Sequence, residues 1–180
     1  MAITGFGLEI RMKELILQAK MPVREITRLE ILKLIGQGGH WASLFASIQS
    51  SRKHKGVDPV DLQIVTGDQL LDQCGIDGVL KLPLKDGTYS KWIGVDFTLN
   101  GREVQTKASK LRDPQRVAAF KDLGIHATVV VHVVYKDFTI ENPSRETVRS
   151  FKKVVGRAMA YAVANGIQGH VVEWDLQRSV

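Results

Sequence analysis

The sequence predicts an α/β fold in which a mixed central sheet is flanked by helices, and three observations predict it. Apolar residues recur at helical spacing through the first third of the chain. The middle third contains short segments bounded by turn residues, which is typical of strands. Residues 127–135 are rich in valine and apolar at both odd and even positions, so we expect a strand covered on both faces.

The 180 residues suit one domain, and we predict that residues 1–180 form it. The first helices are expected over residues 8–19, 23–35 and 41–48, because their leucines and isoleucines lie on common helical faces. The predicted subdivisions are an N-terminal helical extension (1–22), a core (24–135) and a C-terminal helix and strand (136–180).

Three strands are predicted next, over residues 76–84, 91–99 and 102–109. The dipeptide Asn100-Gly101 separates the last two and is a strong signal for a tight hairpin, because both residues tolerate the positive φ of a type I′ turn. The remaining elements are a helix that Pro114 opens, the valine-rich strand, a long helix and a short strand. We expect them over residues 114–123, 127–135, 144–164 and 171–172.

The predicted hairpin sorts its side chains by polarity. With a two-residue turn at Asn100-Gly101, Leu99 faces Arg102, and the residue numbers of every facing pair add up to 201. Asp96 therefore faces Gln105, and Lys107 faces Gly94. Because side chains alternate along a strand, Glu103 joins Gln105 and Lys107 on the face of Asp96. The opposite face is mainly apolar. The sequence therefore predicts a polar cluster on one side of the hairpin, with open space above Gly94.

Such a cluster has the groups needed for metal-assisted hydrolysis of a phosphodiester. The Asp96 carboxylate is a hard oxygen ligand for Mg²⁺ or Mn²⁺. The amide oxygen of Gln105 or the backbone carbonyl of Thr106 is a candidate second ligand. Lys107 is suited to orient water or to stabilise negative charge in the transition state.

Asp77 is a further candidate metal ligand. If Asp86-Gly87 formed a two-residue turn, paired positions would sum to 173, and Asp77 would lie opposite Asp96. Pro83 interrupts the strand and shifts this register in the prediction. Two neighbouring carboxylates would hold a cation better than one.

At these residues the sequence resembles the PD-(D/E)xK nuclease superfamily, over roughly residues 24–135. The resemblance rests on Asp96, the hairpin, Gln105-Thr106-Lys107, and the helix and apolar strand that follow. It implies a restriction-endonuclease-like fold with an α-β-β-β-α-β core. It also implies Mg²⁺- or Mn²⁺-dependent cleavage of DNA, and proteins of this fold often act as homodimers.

The resemblance also assigns roles to individual residues. Asp96 takes the position of the usual acid, Gln105 that of the second acid, and Lys107 that of the lysine. Glu30 is the candidate for an acid from the first core helix. Gln105 is neutral where an acid is usual, and Glu103 is a possible compensating carboxylate.

Two other interpretations remain open at this point. Asp96 and Lys107 would also suit an ordinary cross-strand salt bridge. The neutral Gln105 suits a non-catalytic descendant of the same fold that binds nucleic acid or another protein.

The net charge of +6 and the pI near 9.5 favour a polyanionic partner, for which we predict DNA. Two basic groups are candidates for contacts with the phosphate backbone, one after the motif and one in a basic run. They are Lys110, Arg112, Arg116, Arg52, Lys53 and Lys55.

The single cysteine, Cys74, excludes an internal disulfide, and we expect it to be a small buried hydrophobe. No apolar run is long enough to span a membrane, and residues 1–20 do not have the pattern of a signal peptide. The sequence therefore predicts a cytoplasmic protein without a membrane partner.

Overall fold

The computed structural model describes residues 5–134 and 143–175, and these form an α/β fold with a mixed four-stranded sheet between helices. This confirms the predicted class. The N-terminal half contains α1 (Gly5–Gln18), α2 (Arg28–Gly36), α3 (His40–His54), α4 (Gly67–Gln73), β1 (Gly78–Leu80) and β2 (Trp92–Thr98). The rest contains α5 (Val104–Arg112), α6 (Pro114–Asp122), β3 (Ile125–Val134), α7 (Arg145–Phe151), a π-helical turn (Lys152–Gly156), α8 (Arg157–Asn165) and β4 (His170–Asp175).

The strands are ordered β1-β2-β3-β4 in the sheet. Strand β1 is antiparallel to β2, whereas β2, β3 and β4 are mutually parallel. Parallel neighbours need crossover connections. Helices α5 and α6 connect β2 to β3, and the described part of the connection from β3 to β4 contains α7 and α8.

A hydrophobic core lies on each face of the sheet. On one face α1, the π-helical turn and α8 pack against the odd-numbered residues of β2, among them Val95 and Phe97. On the other face, α2 to α6 pack against residues that include Val130 of β3. The valine-rich strand is therefore covered on both sides, as predicted. Tyr135, its predicted last residue, lies outside the described residues.

The predicted third strand over residues 102–109 is wrong, because this segment belongs largely to helix α5. Val104, Ala108 and Leu111 are buried at helical spacing, and this burial stabilises the helix. The Asn100-Gly101 dipeptide leads into the helix instead of closing a hairpin. The side chain of Asn100 accepts a hydrogen bond from Arg102 N, and its carbonyl accepts one from Glu103 N.

Helix α4 is missing from the predicted elements, although its start carries a recognisable signal. Thr66 and Gln69 form a reciprocal capping box, in which each side chain accepts a hydrogen bond from the other residue's backbone N–H. The helix ends shortly before β1, and the predicted strand over 76–84 is reduced to Gly78–Leu80. Beyond it, Pro83 forms only an isolated bridge with Tyr89.

No described helix is both long enough and apolar enough to cross a bilayer.

Candidate active site

The backbone places Asp77 beside Asp96. Strands β1 and β2 pair Gly78 with Val95 and Val79 with Gly94, which is the register that sums to 173. Asp77 precedes β1, and its N–H donates to Val95 O at 2.8 Å. Its Oδ2 accepts a hydrogen bond from Phe97 N at 2.7 Å. The predicted register is therefore found in β1, although the connection between the strands is longer than a two-residue turn.

Lys107 holds both oxygens of the Asp96 carboxylate. Its Nζ lies 3.0 Å from Oδ1 and 2.9 Å from Oδ2. The Asp96 side chain is only 3 % exposed, whereas that of Lys107 is 30 % exposed. The lysine comes from helix α5 rather than from a facing strand. The predicted space above Gly94 is filled, because a Cβ there would lie 2.8 Å from Ile76 Cδ1 and 3.2 Å from Thr128 Cγ2.

The two aspartates share a buried environment that favours holding a proton. Burial raises the pKa of Asp77 to about 7, and the charge of Asp96 and a hydrogen bond to its carboxyl add to the effect. Burial also raises the pKa of Asp96, against the lowering effect of Lys107. Since the ammonium group pairs with Asp96, we place the shared proton on Asp77.

The pKa of Lys107 is governed by the same neighbours. Burial alone would lower it, but the charge and hydrogen bond of Asp96 outweigh burial, and Asp77 and Glu103 add to them. The net result is a raised pKa, so the ammonium group stays protonated at neutral pH.

A cleft of about 360 Å³ opens above the ion pair. Glu103, which caps the start of α5, shares one side of this helix with Lys107 and Lys110, because helical residues three or four positions apart are neighbours. Both charge signs line the cleft. Its residues are Asp72, Gln73, Gly75, Asp96, Glu103, Thr106, Lys107, Lys110 and Arg116.

The structure does not place Gln105 and Glu30 at this cleft. Gln105 is exposed and lies on a different face of α5 from Glu103 and Lys107, since two helical positions are about 200° apart. Glu30 pairs with Arg24, whose guanidinium lies 5.8 Å from the centre of the Trp92 ring, at the start of β2. Both predicted catalytic positions are therefore corrected.

Two further candidates are corrected in part. Thr106 lines the cleft, but its carbonyl lies in the interior of α5, where carbonyls accept the helical hydrogen bond. Only its side chain remains for a ligand. Arg112 is directed away from the cleft, because its Nη2 donates to Gly169 O at 2.9 Å and its Nε to Gln168 O at 3.4 Å. It fixes the loop between α8 and β4.

The predicted basic run lies near the rim of the cleft, at the end of α3. The Nη1 of Arg52 donates to Gln73 Oε1 at 3.1 Å, and Gln73 is a cleft residue. The Nε of Arg52 is bonded to Asp58 O, so this guanidinium is partly committed to holding a loop. Lys53 and Lys55 are exposed beside it.

The sequence prediction missed two carboxylates, Asp72 and Glu9. Asp72 lines the cleft, and burial raises its pKa. The charge of Glu9 contributes to the raised pKa of both Asp72 and Asp77, so Glu9 of α1 lies near the site. The capping box before α4 would have indicated the position of Asp72 on a helix. Glu9 carries no comparable signal, because its proximity depends on tertiary packing.

Within residues 5–134 and 143–175, no group of three or more histidine, cysteine, aspartate or glutamate side chains has the spacing of a metal site. Comparisons with protein-family models, curated proteins and solved structures find no significant match to this chain.

Proposed function

We propose that this protein is a divalent-metal-dependent nuclease that hydrolyses DNA phosphodiester bonds in the cleft above Asp96. One observation carries the proposal. Asp96 and Lys107 form an ion pair in the lining of an open cleft, and the carboxyl group of Asp77 lies close enough to Asp96 for the charge of Asp96 to add to burial in raising the pKa of Asp77. Perturbed carboxyl pKa values in a cleft are typical of catalytic sites.

The chemistry of the donor groups fits Mg²⁺ or Mn²⁺. Asp77 and Asp96 supply hard carboxylate oxygens, and Mg²⁺ usually takes one or two carboxylates and completes its shell with water and phosphate. Asp72 and Glu103 line the same cleft and add negative charge. A bound ion would supply Lewis-acid stabilisation of the charge that develops on the phosphate.

The residues of the chain have separate roles in this proposal. Lys107 must release at least one Asp96 oxygen before that oxygen can bind a cation, and its partial exposure allows the movement. Its ammonium group then remains near the reacting phosphate, where it stabilises negative charge. Asp77 must lose its proton, and its pKa of about 7 makes the ionised form available at slightly alkaline pH.

We also propose that the fold is restriction-endonuclease-like, with a corrected assignment of its elements. Val23 pairs with Leu80 of β1 in an isolated antiparallel bridge. We assign this bridge, β1 and β2 to the three strands of the α-β-β-β-α-β core. The first core helix is then α1, and Glu9 takes the position that the sequence prediction gave to Glu30.

The test is DNA cleavage with Mg²⁺, Mn²⁺ or EDTA, using circular duplex and single-stranded substrates. Asp77→Asn, Asp96→Asn and Lys107→Met are each expected to lower the metal-dependent rate at least about a hundredfold. Gln105→Ala is the matched control on α5 and is expected to keep wild-type activity. Equal activity of wild type and Asp96→Asn would refute the catalytic assignment.

A non-catalytic nucleic-acid-binding module is the second candidate. It is favoured by the ion pair itself, because Lys107 already neutralises Asp96. Calorimetric titration with Mn²⁺ separates the two functions. Binding that Asp77→Asn abolishes supports the nuclease, whereas DNA binding without metal binding or cleavage supports the module.

A further inference from the structure

We infer that Arg116 and Lys110 form a subsite for the phosphate that neighbours the scissile one, so that the preferred substrate is a polynucleotide rather than a single phosphodiester. This inference rests on the proposed function and names the substrate feature that the same cleft selects. The sequence predicts only that these residues contact nucleic acid.

Arg116 carries an unsatisfied donor at the cleft. Its side chain is 21 % exposed, and its Nε is buried without a hydrogen-bond partner among the described residues. The Asp113 carboxylate is near, but its Oδ2 lies 3.7 Å from Nη1, which is too long for a hydrogen bond. That oxygen also accepts a hydrogen bond from Arg116 N. This Nε is shielded from solvent, so a ligand in the cleft would meet the exposed part of the side chain, whose positive charge attracts an anion.

Lys110 lies on the same wall of the cleft. It is exposed, and no carboxylate of the described residues forms an ion pair with it. It is three positions after Lys107 on α5, so the two Cβ atoms are about 5–6 Å apart. Lys107 is neutralised by Asp96, whereas Lys110 keeps its positive charge for a ligand.

Arg116 and Asp72 approach the same end of the cleft. Burial raises the pKa of the neighbouring Cys74 thiol to about 12, while the charge of Arg116 opposes the shift and that of Asp72 adds to it. Asp72 would repel a phosphate that approached without compensating charge. Arg116 and Lys110 supply two cations against the carboxylates of Asp72 and Asp113, and Lys110 remains without an ion-pair partner among the described residues, so its charge is available to an anion.

The planar guanidinium matches phosphate oxygens better than an ammonium group does. We therefore compare Arg116→Gln, Arg116→Lys and Lys110→Gln with Lys121→Gln. Lys121 lies on the same helix as Arg116, is exposed and does not line the cleft. Thermal melting checks that each variant folds, and exposed Lys110 provides a variant that leaves the core untouched.

The first measurement is the affinity for single-stranded oligothymidylate in EDTA, as a function of salt. We expect Arg116→Gln to weaken binding about tenfold and to reduce the salt slope by about one unit, with Arg116→Lys between it and wild type. Lys110→Gln is expected to weaken binding about threefold, and Lys121→Gln less than twofold. Equal losses for Arg116→Gln and Lys121→Gln would overturn the subsite.

The second measurement is Mn²⁺-dependent hydrolysis of the thymidine dinucleotide, which has one phosphate, and of the trinucleotide, which has two. Arg116→Gln should raise KM for the trinucleotide and leave the dinucleotide unchanged. Equal effects on both substrates would overturn the subsite. Because the affinity measurement needs no cleavage, an inactive wild type that still discriminates Arg116→Gln from Lys121→Gln would refute the nuclease but retain the subsite.

Discussion

Lys107 Nζ lies within 3.0 Å of both carboxylate oxygens of Asp96, and it reaches them from helix α5, which packs against β3 and β4. A single ammonium group therefore covers almost the whole carboxylate and limits the exposure of its side chain to 3 %. Removing either partner has unequal consequences. Without Lys107, Asp96 is left buried and unpaired, whereas without Asp96 the partly exposed Lys107 can turn towards water.

We therefore predict that Lys107→Met lowers the free energy of unfolding by about 2 kcal/mol, and Asp96→Asn by less than half as much. The measurement is urea denaturation in EDTA at neutral pH. In the double variant the costs should be less than additive, because removing both groups together leaves no buried charge unpaired. Lys121→Met is the control and should change stability by less than about 0.5 kcal/mol. Strict additivity would contradict this account.

Much of the fold follows from local patterns in the sequence. The helical spacing in α1, the Asp113-Pro114 start of α6 and the two-sided burial of β3 are each encoded within about ten residues. The strand predicted over residues 102–109 was wrong because the Asn100-Gly101 dipeptide is compatible with two different local structures. It fits a tight hairpin, but it also begins a helix when Val104, Ala108 and Leu111 find a core to bury against.

The pairing of Asp96 with Lys107 was predicted from a strand register that the structure does not contain. The two residues meet because α5 packs against the neighbouring strands β3 and β4, so their contact depends on tertiary packing. Asp77 was predicted from the register that is found in β1. Gln105 lies away from the cleft because its placement followed the incorrect hairpin, and Glu30 lies away from it because α2 directs this side chain to Arg24.

The pKa of Asp77 predicts a pH-dependent stability in EDTA. Its folded pKa of about 7 lies above the ordinary value of about 3.9, so the folded protein retains a proton that the unfolded chain releases. Its contribution to stability is therefore present at acid pH and is lost as the pH rises towards 7. We predict that Asp77→Asn removes this decline and is more stable than wild type by about 2 kcal/mol at pH 8.

Thermal or urea unfolding of both proteins from pH 4 to pH 8 checks this prediction. The informative quantity is the difference between them, because other titrating groups cancel. This difference should grow through the interval and level off above pH 7. A constant difference would show that Asp77 keeps its ordinary pKa in the folded protein.

Metal binding should depend on the predicted ligands Asp77 and Asp96 and not on the predicted catalytic residues Gln105 and Glu30. At pH 8, Mn²⁺ is expected to raise the melting temperature of wild type and Gln105→Ala by a similar amount. Asp77→Asn and Asp96→Asn should lose most of this increase, since each removes a carboxylate ligand. Glu30→Gln should retain it, because Glu30 pairs with Arg24. Loss of the Mn²⁺ effect in Glu30→Gln but not in Asp77→Asn would contradict the role of Asp77 and return Glu30 to the site.

The position of α5 depends on a close contact with the loop before β4. At Gly169, a Cβ would lie 2.4 Å from Ala108 O, and Ala108 follows Lys107 in the helix. Gly166 has the same φ of +61°, but a Cβ there has no atom within 4 Å.

We predict that Gly169→Ala lowers the free energy of unfolding by about 3 kcal/mol, through backbone strain and the collision with Ala108. Gly166→Ala should lower it by about 1 kcal/mol, from backbone strain alone. Urea denaturation of the two variants isolates the collision, because the conformational cost is common to both. Similar losses would mean that the loop moves away from α5 without penalty, and that Lys107 is not held in place by this contact.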